Sequence, residues 1–248
     1  ILILFFYSSL KTILNQKRLS QVKNDFINNM THELKTPIST ISLACEALKD
    51  RKISIDDTRR ENYVEIINDE NSRLSLLVDN VLKSAVWDSN SLRLNYEKVN
   101  IHPIIQKVAD SFKIQLEKKS ITLKLELNAN IDLWELDQIH FSNIIFNLVD
   151  NAFKYSPANS SIIIKTENYN NQLWISVIDY GIGISIQNQK RIFDKFYRVS
   201  TGNIHDVKGF GLGLNYVKNM VNQFGGEIIL KSKEGKGTSI TIKLLQNE

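Results

Sequence analysis

Between about Asn15 and Lys49, apolar residues fall at Phe26, Met30, Leu34, Ile38, Ile41, Cys45 and Leu48, three or four apart. That spacing predicts a long amphipathic helix. A polar, turn-like stretch from Asp50 to Asp57 follows, with Asp56 or Asp57 suited to cap a second helix. There Tyr63, Ile67, Leu74, Leu77, Val81 and Ala85 repeat the same kind of seam. Two such helices with a short link make an antiparallel hairpin. One hairpin buries two apolar stripes poorly, so two are expected to associate as a dimeric four-helix bundle. Trp87 to Ser91 ends this unit as a linker.

Past Ser91 the pattern alternates instead. Leu92–Tyr96, Ile121–Leu127, Ser161–Thr166, Leu173–Ile178, Ile228–Leu230 and Thr238–Leu244 read as strands. Helical spacing returns at Ile101–Lys118, Asp137–Lys154 and Leu214–Phe224. Helices grouped against a mostly antiparallel sheet predict an α+β domain in two layers. The chain therefore divides into residues 1–14, a helical hairpin at 15–90 and an α+β unit at 91–248. There is no internal repeat and no low-complexity segment.

Composition narrows this picture little. The 248 residues are 42% hydrophobic and 23% charged, with 31 basic against 27 acidic side chains. A net charge of +4, scattered along the chain, gives no basic stripe for nucleic acid. The single cysteine, Cys45, excludes an internal disulfide and is expected to be a core thiol on the helix seam. The chain opens on the apolar run Ile1–Tyr7, followed by Lys11, Lys17, Arg18 and Lys23. That run is half of the roughly 20 residues needed to cross a bilayer, with a basic cytoplasmic-type flank. It reads as the tail of a membrane-spanning helix, with residues 1–14 forming that end and the juxtamembrane segment.

Candidate chemistry begins at His32. It lies two residues from Leu34, about 200° around the helix, so it is expected to face water beside Glu33. Pro37 removes one backbone donor and should bend the helix a turn later. Four motifs follow in the second unit. Asn147, Asn151 and Lys154, spaced by four and three, put two amides and an ammonium on one helix face. Amide oxygens suit Mg²⁺ and the lysine suits a phosphate, although a polar surface face would look the same. Asp179-Tyr-Gly181-Ile-Gly183 follows a strand; the carboxylate could accept from an exocyclic amine, and the glycines let backbone pass close to a flat ligand. Gly209-Phe-Gly211-Leu212-Gly213 opens a helix, where free N–H groups make a phosphate cradle. Gly235-Lys-Gly237-Thr238 enters the last strand and alone would pass as a hairpin turn. Between the second and third motifs, Lys195 and Arg198 beside Phe193 and Phe196 form a basic, aromatic-anchored segment. The polar stretch after it could act as a lid. Each motif alone is ambiguous; the four in this order, behind His32, are specific.

Those motifs resemble the boxes of a bacterial membrane-bound sensor histidine kinase of a two-component system. Phe26–Pro37 looks like the phosphoacceptor box, Asn143–Pro157 like the asparagine box, and Phe193–Arg198 like the phenylalanine box. The three glycine clusters look like the glycine boxes. Phe210 departs, standing where a hydroxyl residue is common. The resemblance implies a helical-hairpin dimer followed by an ATP-binding α/β sandwich shared with gyrase-type ATPases. It implies autophosphorylation of His32 from ATP and Mg²⁺, and phosphotransfer to an aspartate of a response regulator. Glu33 and Thr36 match the family's phosphatase motif, implying the reverse activity. Asn147, Asn151, Lys154, Tyr155, Asp179, Gly181, Gly183, Lys195, Arg198, Gly209, Gly211, Leu212, Gly213 and Thr238 are the implied nucleotide site, with Asn147 and Asn151 on the metal. The implied setting is a homodimer at the cytoplasmic membrane, its kinase core in the cytoplasm, with no nucleic acid partner. A hydrolysing ATPase would need a carboxylate base where Asn147 stands, and a silent scaffold would not need His32 and Asn151.

Overall fold

The computed structural model describes residues 2–49, 57–86, 94–199 and 211–245; within the first unit several side chains, those of Phe26, His32 and Glu33 among them, lie outside the described set. So do the expected turn residues 50–56 and the expected linker Trp87–Ser91. The chain forms two compact units, residues 1–92 and 93–248.

The first unit is a pair of packed helices, α1 (Leu2–Lys49) and α2 (Asp57–Val86). Helix α1 starts well before Asn15 and runs through Pro37 unbroken. A proline removes one intrahelical bond only, and the Thr40 hydroxyl adds one back nearby, donating to the Thr36 carbonyl at 3.2 Å. The shielded positions include Met30, Leu34, Pro37, Ile41, Ala44 and Leu48, alternately four and three apart. This shifts the expected seam. Pro37 is buried where Ile38 was expected, and Ile38 is 52% exposed. Ala44 holds the buried place beside Cys45, which is only half-buried rather than a core thiol. Among the described residues, no helix is long and apolar enough to cross a membrane.

The second unit stacks helices on one face of a five-stranded sheet. Its strands are β2 (Thr122–Leu127), β4 (Ser161–Tyr169), β5 (Gln172–Asp179), β6 (Glu227–Lys233) and β7 (Gly237–Leu245). They lie in the order β2-β4-β5-β7-β6, with only the β2–β4 pair parallel. A separate ribbon pairs β1 (Glu97–Asn100) with β3 (Leu133–Leu136). The first strand thus falls just after the expected Leu92–Tyr96, and β3 is an addition. The helices are α3 (Ile101–Ser111), α4 (Lys113–Lys118), α5 (Gln138–Tyr155), α6 (Ile186–Gln189) and α7 (Gly213–Gln223). The single helix expected over Ile101–Lys118 breaks at Phe112, a buried residue that caps α3.

Burial follows the period of each element. Ile162 and Ile164, then Leu173, Ile175 and Val177, then Ile240, Ile242 and Leu244 all point inward. Helix α5 meets β4 and β5, and its buried stripe is Phe141, Ile144, Ile145, Leu148, Val149 and Ala152. Each buried Phe, Ile, Leu or Val among them contributes about 1.5–3 kcal/mol. The polar outer face is tied by Lys165–Glu167 at 2.8 Å, Ser176–Thr241 at 2.8 Å and Lys243 over the Trp174 ring at 4.3 Å. This frame leaves the α5 amide face and one end of the sheet for chemistry.

Candidate functional site

Helix α5 starts where Asp137 takes its N-cap. Its carboxylate accepts from His140 N at 3.0 Å through one oxygen and from Asn95 N at 2.9 Å through the other. Burial pushes this carboxyl up, but those two donors and the His140 charge hold it below its ordinary value. Two turns on, Asn147 Nδ2 donates to the Asn143 carbonyl at 2.7 Å. Its amide is thereby oriented with Oδ1 left as an acceptor, facing the first residue of α7. A Cβ on Gly213 would come within 2.6 Å of that oxygen. An amide oxygen held against a helix N-terminus is chemically suited to a hard cation that carries phosphates. Asn151 follows one turn later on the same face. Lys154 does not point freely at a ligand as expected, because it is ion-paired with Asp150 one turn back.

The C-terminal end of α5 meets the first glycine motif. Ile182 N donates to the Tyr155 carbonyl at 3.2 Å, and a Cβ on Gly181 would lie 2.3 Å from that oxygen. Tyr155 is partly sheltered; burial raises its phenol and the Arg198 charge pulls it back. Arg198 therefore acts electrostatically at this end of α5.

Asp179 closes β5. Its Oδ1 accepts from Gly181 N at 2.9 Å and Thr238 N at 3.2 Å. Among the described residues no hydrogen-bond donor reaches Oδ2. Burial raises this carboxyl, with the two N–H donors acting against it. The glycines nearby are steric necessities. Gly183 has φ +66° and a Cβ there would meet the Lys233 carbonyl at 2.0 Å; Gly237 has φ +98° and would meet the Asp179 carbonyl at 2.1 Å.

The aromatic segment packs onto the start of α7. Phe196, with φ +66°, donates its N–H to the Gly211 carbonyl at 2.9 Å, and Asn215 Nδ2 donates to the Phe193 carbonyl at 2.9 Å. Lys195 Nζ lies 5.0 Å from the Phe196 ring centre. Leu212 is buried and takes the N-cap position of α7 without a side-chain cap. Its side chain anchors the turn, leaving backbone N–H groups of α7 for an anion. Gly209 and Phe210 lie outside the described residues.

The structure thus gathers Asn147, Tyr155, Asp179, Gly181, Gly183, Arg198, Gly211, Gly213 and Thr238 through contacts linking α5, the ends of β5 to β7 and the start of α7. His32, Glu33 and Thr36 belong to the other unit. Sequence reasoning missed Ser232, whose hydroxyl bonds Ile184 N at 2.9 Å, the Gly237 carbonyl at 2.9 Å and Thr238 Oγ1 at 3.0 Å. Its signal was a serine two residues after Leu230, continuing the inward positions Ile228 and Leu230 of β6. Tyr216 was also missed: buried on α7, its hydroxyl lies 2.9 Å from His140 Nδ1, tying α7 to α5.

Comparison with known proteins gives a consistent picture. Residues 136–248 match the family model "Histidine kinase-, DNA gyrase B-, and HSP90-like ATPase", and residues 22–89 match "His Kinase A (phospho-acceptor) domain". The sensor protein RprX of Bacteroides fragilis is 40% identical over 252 residues, covering 100% of this chain and 49% of that protein. The sensor protein SrrB of Staphylococcus aureus is 32% identical over 243 residues, covering 97% of this chain and 41% of that protein. The chain thus spans about half, or less, of the curated relatives it matches. In fold it is similar to the Acinetobacter baumannii histidine kinase AdeS, with a TM-score of 0.64 at 24% identity over 88% of this chain and 98% of that one. Histidine kinase ThkA, solved in complex with the response regulator protein TrrA, gives 0.65 at 22% identity over 94% and 64%.

Proposed function

The chain belongs to the two-component sensor histidine kinases, and from that premise we propose that it transfers the γ-phosphoryl group of ATP to His32 and then to an aspartate of a response regulator. The observation that carries this reading is the joining of an oriented amide, a half-buried carboxylate and a helix N-terminus in one unit, with a separate helix bearing His32. The phosphoacceptor hairpin spans residues 15–90 and the catalytic unit 91–248.

Asp179 accepts from the adenine amine, and Gly181 and Gly183 let the base lie against the backbone. Asn147 and Asn151 would hold Mg²⁺, which would neutralise triphosphate charge. The N–H groups opening α7, with Gly209 and Gly211 before them, face the phosphates. Lys195 and Arg198 steady the γ-phosphate, and Lys154 joins them by exchanging Asp150 for a phosphate oxygen. A ring nitrogen of neutral His32 attacks the γ-phosphorus while the bond to the β-phosphate oxygen breaks and ADP leaves. Glu33 holds the other ring nitrogen through its hydrogen, fixing the tautomer and balancing the developing charge. Thr36, one turn from His32, orients a water for the reverse step on the phosphorylated regulator.

The working form is a homodimer. The packed pair α1–α2 leaves Ile38, Leu43, Val64, Ile66 and Val78 exposed, which a second hairpin would cover. The start of α1 exposes Phe5, Phe6 and Tyr7 ahead of Lys11 and Lys17, an apolar run with a basic flank suited to the cytoplasmic face of a membrane. Phosphoryl chase tests the reading. Protein labelled from γ-labelled ATP and freed of nucleotide should pass its label to a receiver domain of a response regulator. Label that stays on the kinase with every receiver tried, or leaves only as free phosphate without a receiver, contradicts it.

A further inference from the structure

Ser232 stands directly across from Thr238, and Thr238 directly across from Asp179. Residues opposite one another on neighbouring strands put their side chains on the same face. The row Asp179–Thr238–Ser232 is therefore the polar last rung of a face whose previous rungs are Val177–Ile240–Leu230 and Ile175–Ile242–Ile228.

The hydrogens in this row can be counted. A serine hydroxyl has one hydrogen and two lone pairs. The Gly237 carbonyl only accepts, so the Ser232 hydrogen goes to it, at 2.9 Å. Ile184 N–H fills one lone pair at 2.9 Å. Thr238 Oγ1, 3.0 Å away, meets the other lone pair and must supply the hydrogen of that bond itself. With its hydrogen committed, the Thr238 hydroxyl offers only lone pairs to anything else. Its own backbone N–H is committed to Asp179 Oδ1 at 3.2 Å.

We propose that Ser232 is a positioning residue that sets nucleobase specificity: it fixes the Thr238 hydroxyl as an acceptor beside the Asp179 carboxylate, so that this corner reads an exocyclic amine and rejects a carbonyl. The inference rests on the adenine reading above and extends it to a residue outside the glycine motifs. An amine has two hydrogens and meets two acceptors here; a carbonyl would face lone pairs on both sides. The Thr238 contribution also survives acid. Asp179, whose burial favours the protonated form, could turn into a donor as pH falls, whereas Thr238 held by Ser232 could not.

Three probes separate this role from a structural one: ATP, GTP and purine riboside triphosphate, which lacks the exocyclic amine. Each is titrated calorimetrically with Mg²⁺ into the full chain. Ser232→Ala should weaken ATP by about fivefold or more, the scale of one misoriented hydrogen bond. Purine riboside triphosphate should change by less than about twofold, and GTP should close part of its gap to ATP. Ser232→Thr, which keeps the hydroxyl, should restore wild-type preference. Equal weakening of ATP and purine riboside triphosphate would make Ser232 a prop for the turn and overturn the proposal, as would no weakening of either. Asp179→Asn in parallel keeps the two readings apart. If it retains the wild-type preference for ATP over purine riboside triphosphate, the adenine reading itself is wrong. If it loses that preference while Ser232→Ala behaves as wild type, the role of Ser232 alone is refuted.

Discussion

Asp179 is held in its place at a cost to the fold. Burial raises its carboxyl, so the folded protein binds that proton more tightly than the unfolded chain does. For a raised carboxyl, stability is fully present below the unfolded value, near 3.9 for an aspartate, and is lost as pH rises through the folded one. At neutral pH the charged group is thus destabilising. Asp179→Asn keeps an oxygen for Gly181 and Thr238 while removing the charge, so it should raise Tm at pH 7 even as it removes adenine preference. The gain should shrink as pH falls into the carboxylate range; an unchanged or lowered Tm at pH 7 would contradict this. Asn151 makes the opposite kind of test. Asn151→Ala should weaken ATP binding by about tenfold or more with Mg²⁺ present and far less with chelator, the scale of a lost metal contact. Equal affinities with and without Mg²⁺ in the variant and wild type would remove Asn151 from the metal.

Helix α5 positions most of the site, because it presents a buried stripe inward and the amide face outward. Its N-cap is a measurable support. Asp137→Ala should cost about 1–2 kcal/mol in chemical denaturation at neutral pH. The Asp137 carboxyl is held below its ordinary value despite burial. Its contribution is therefore present above the unfolded carboxylate value and lost as pH falls through the folded one. The difference between wild type and Asp137→Ala should close in acid, and a gap that widens there would contradict the cap. This helix was legible because eighteen residues of regular spacing end near a turn. Strands β4, β5 and β7 were legible as eight- or nine-residue runs rich in Ile, Val and Thr. Strand β3 was not, since four residues with Trp134 and Leu136 inward give too short a pattern. Strand β1 was displaced because the Leu-x-Leu-x-Tyr alternation ending at Tyr96 outweighs a strand whose only buried residue is Val99. The shift at Ile38 has another cause: Pro37 was expected only to bend the helix, whereas its ring fills the seam. Within the candidate site, glycines and Asp179 showed themselves through the turns they require. Ser232 stayed hidden because its partners, Ile184 in a loop and Gly237 and Thr238 on β7, come together only once β6 pairs with β7 and the loop folds over them.

For the whole molecule, the apolar residues that α1 and α2 leave uncovered predict association. The full chain should sediment as a dimer, and Ile38→Asp together with Leu43→Asp should shift it toward monomer while leaving ATP binding by the second unit unchanged. Monomeric wild-type protein at micromolar concentration would contradict the dimer. The proposed activity makes separable demands on the two units, with nucleotide binding assigned to residues 93–248 and phosphoryl acceptance to α1. Phosphoryl transfer from the nucleotide unit to α1 joins them, and the site of the label reports it. Incubation with γ-labelled ATP and Mg²⁺ should leave an acid-labile, base-stable phosphoryl group on the protein, mapped to His32 by peptide analysis. His32→Gln should abolish that label with nucleotide affinity intact. Label that persists at the wild-type rate in His32→Gln, or maps to another residue, would rule out His32 as the phosphoryl acceptor.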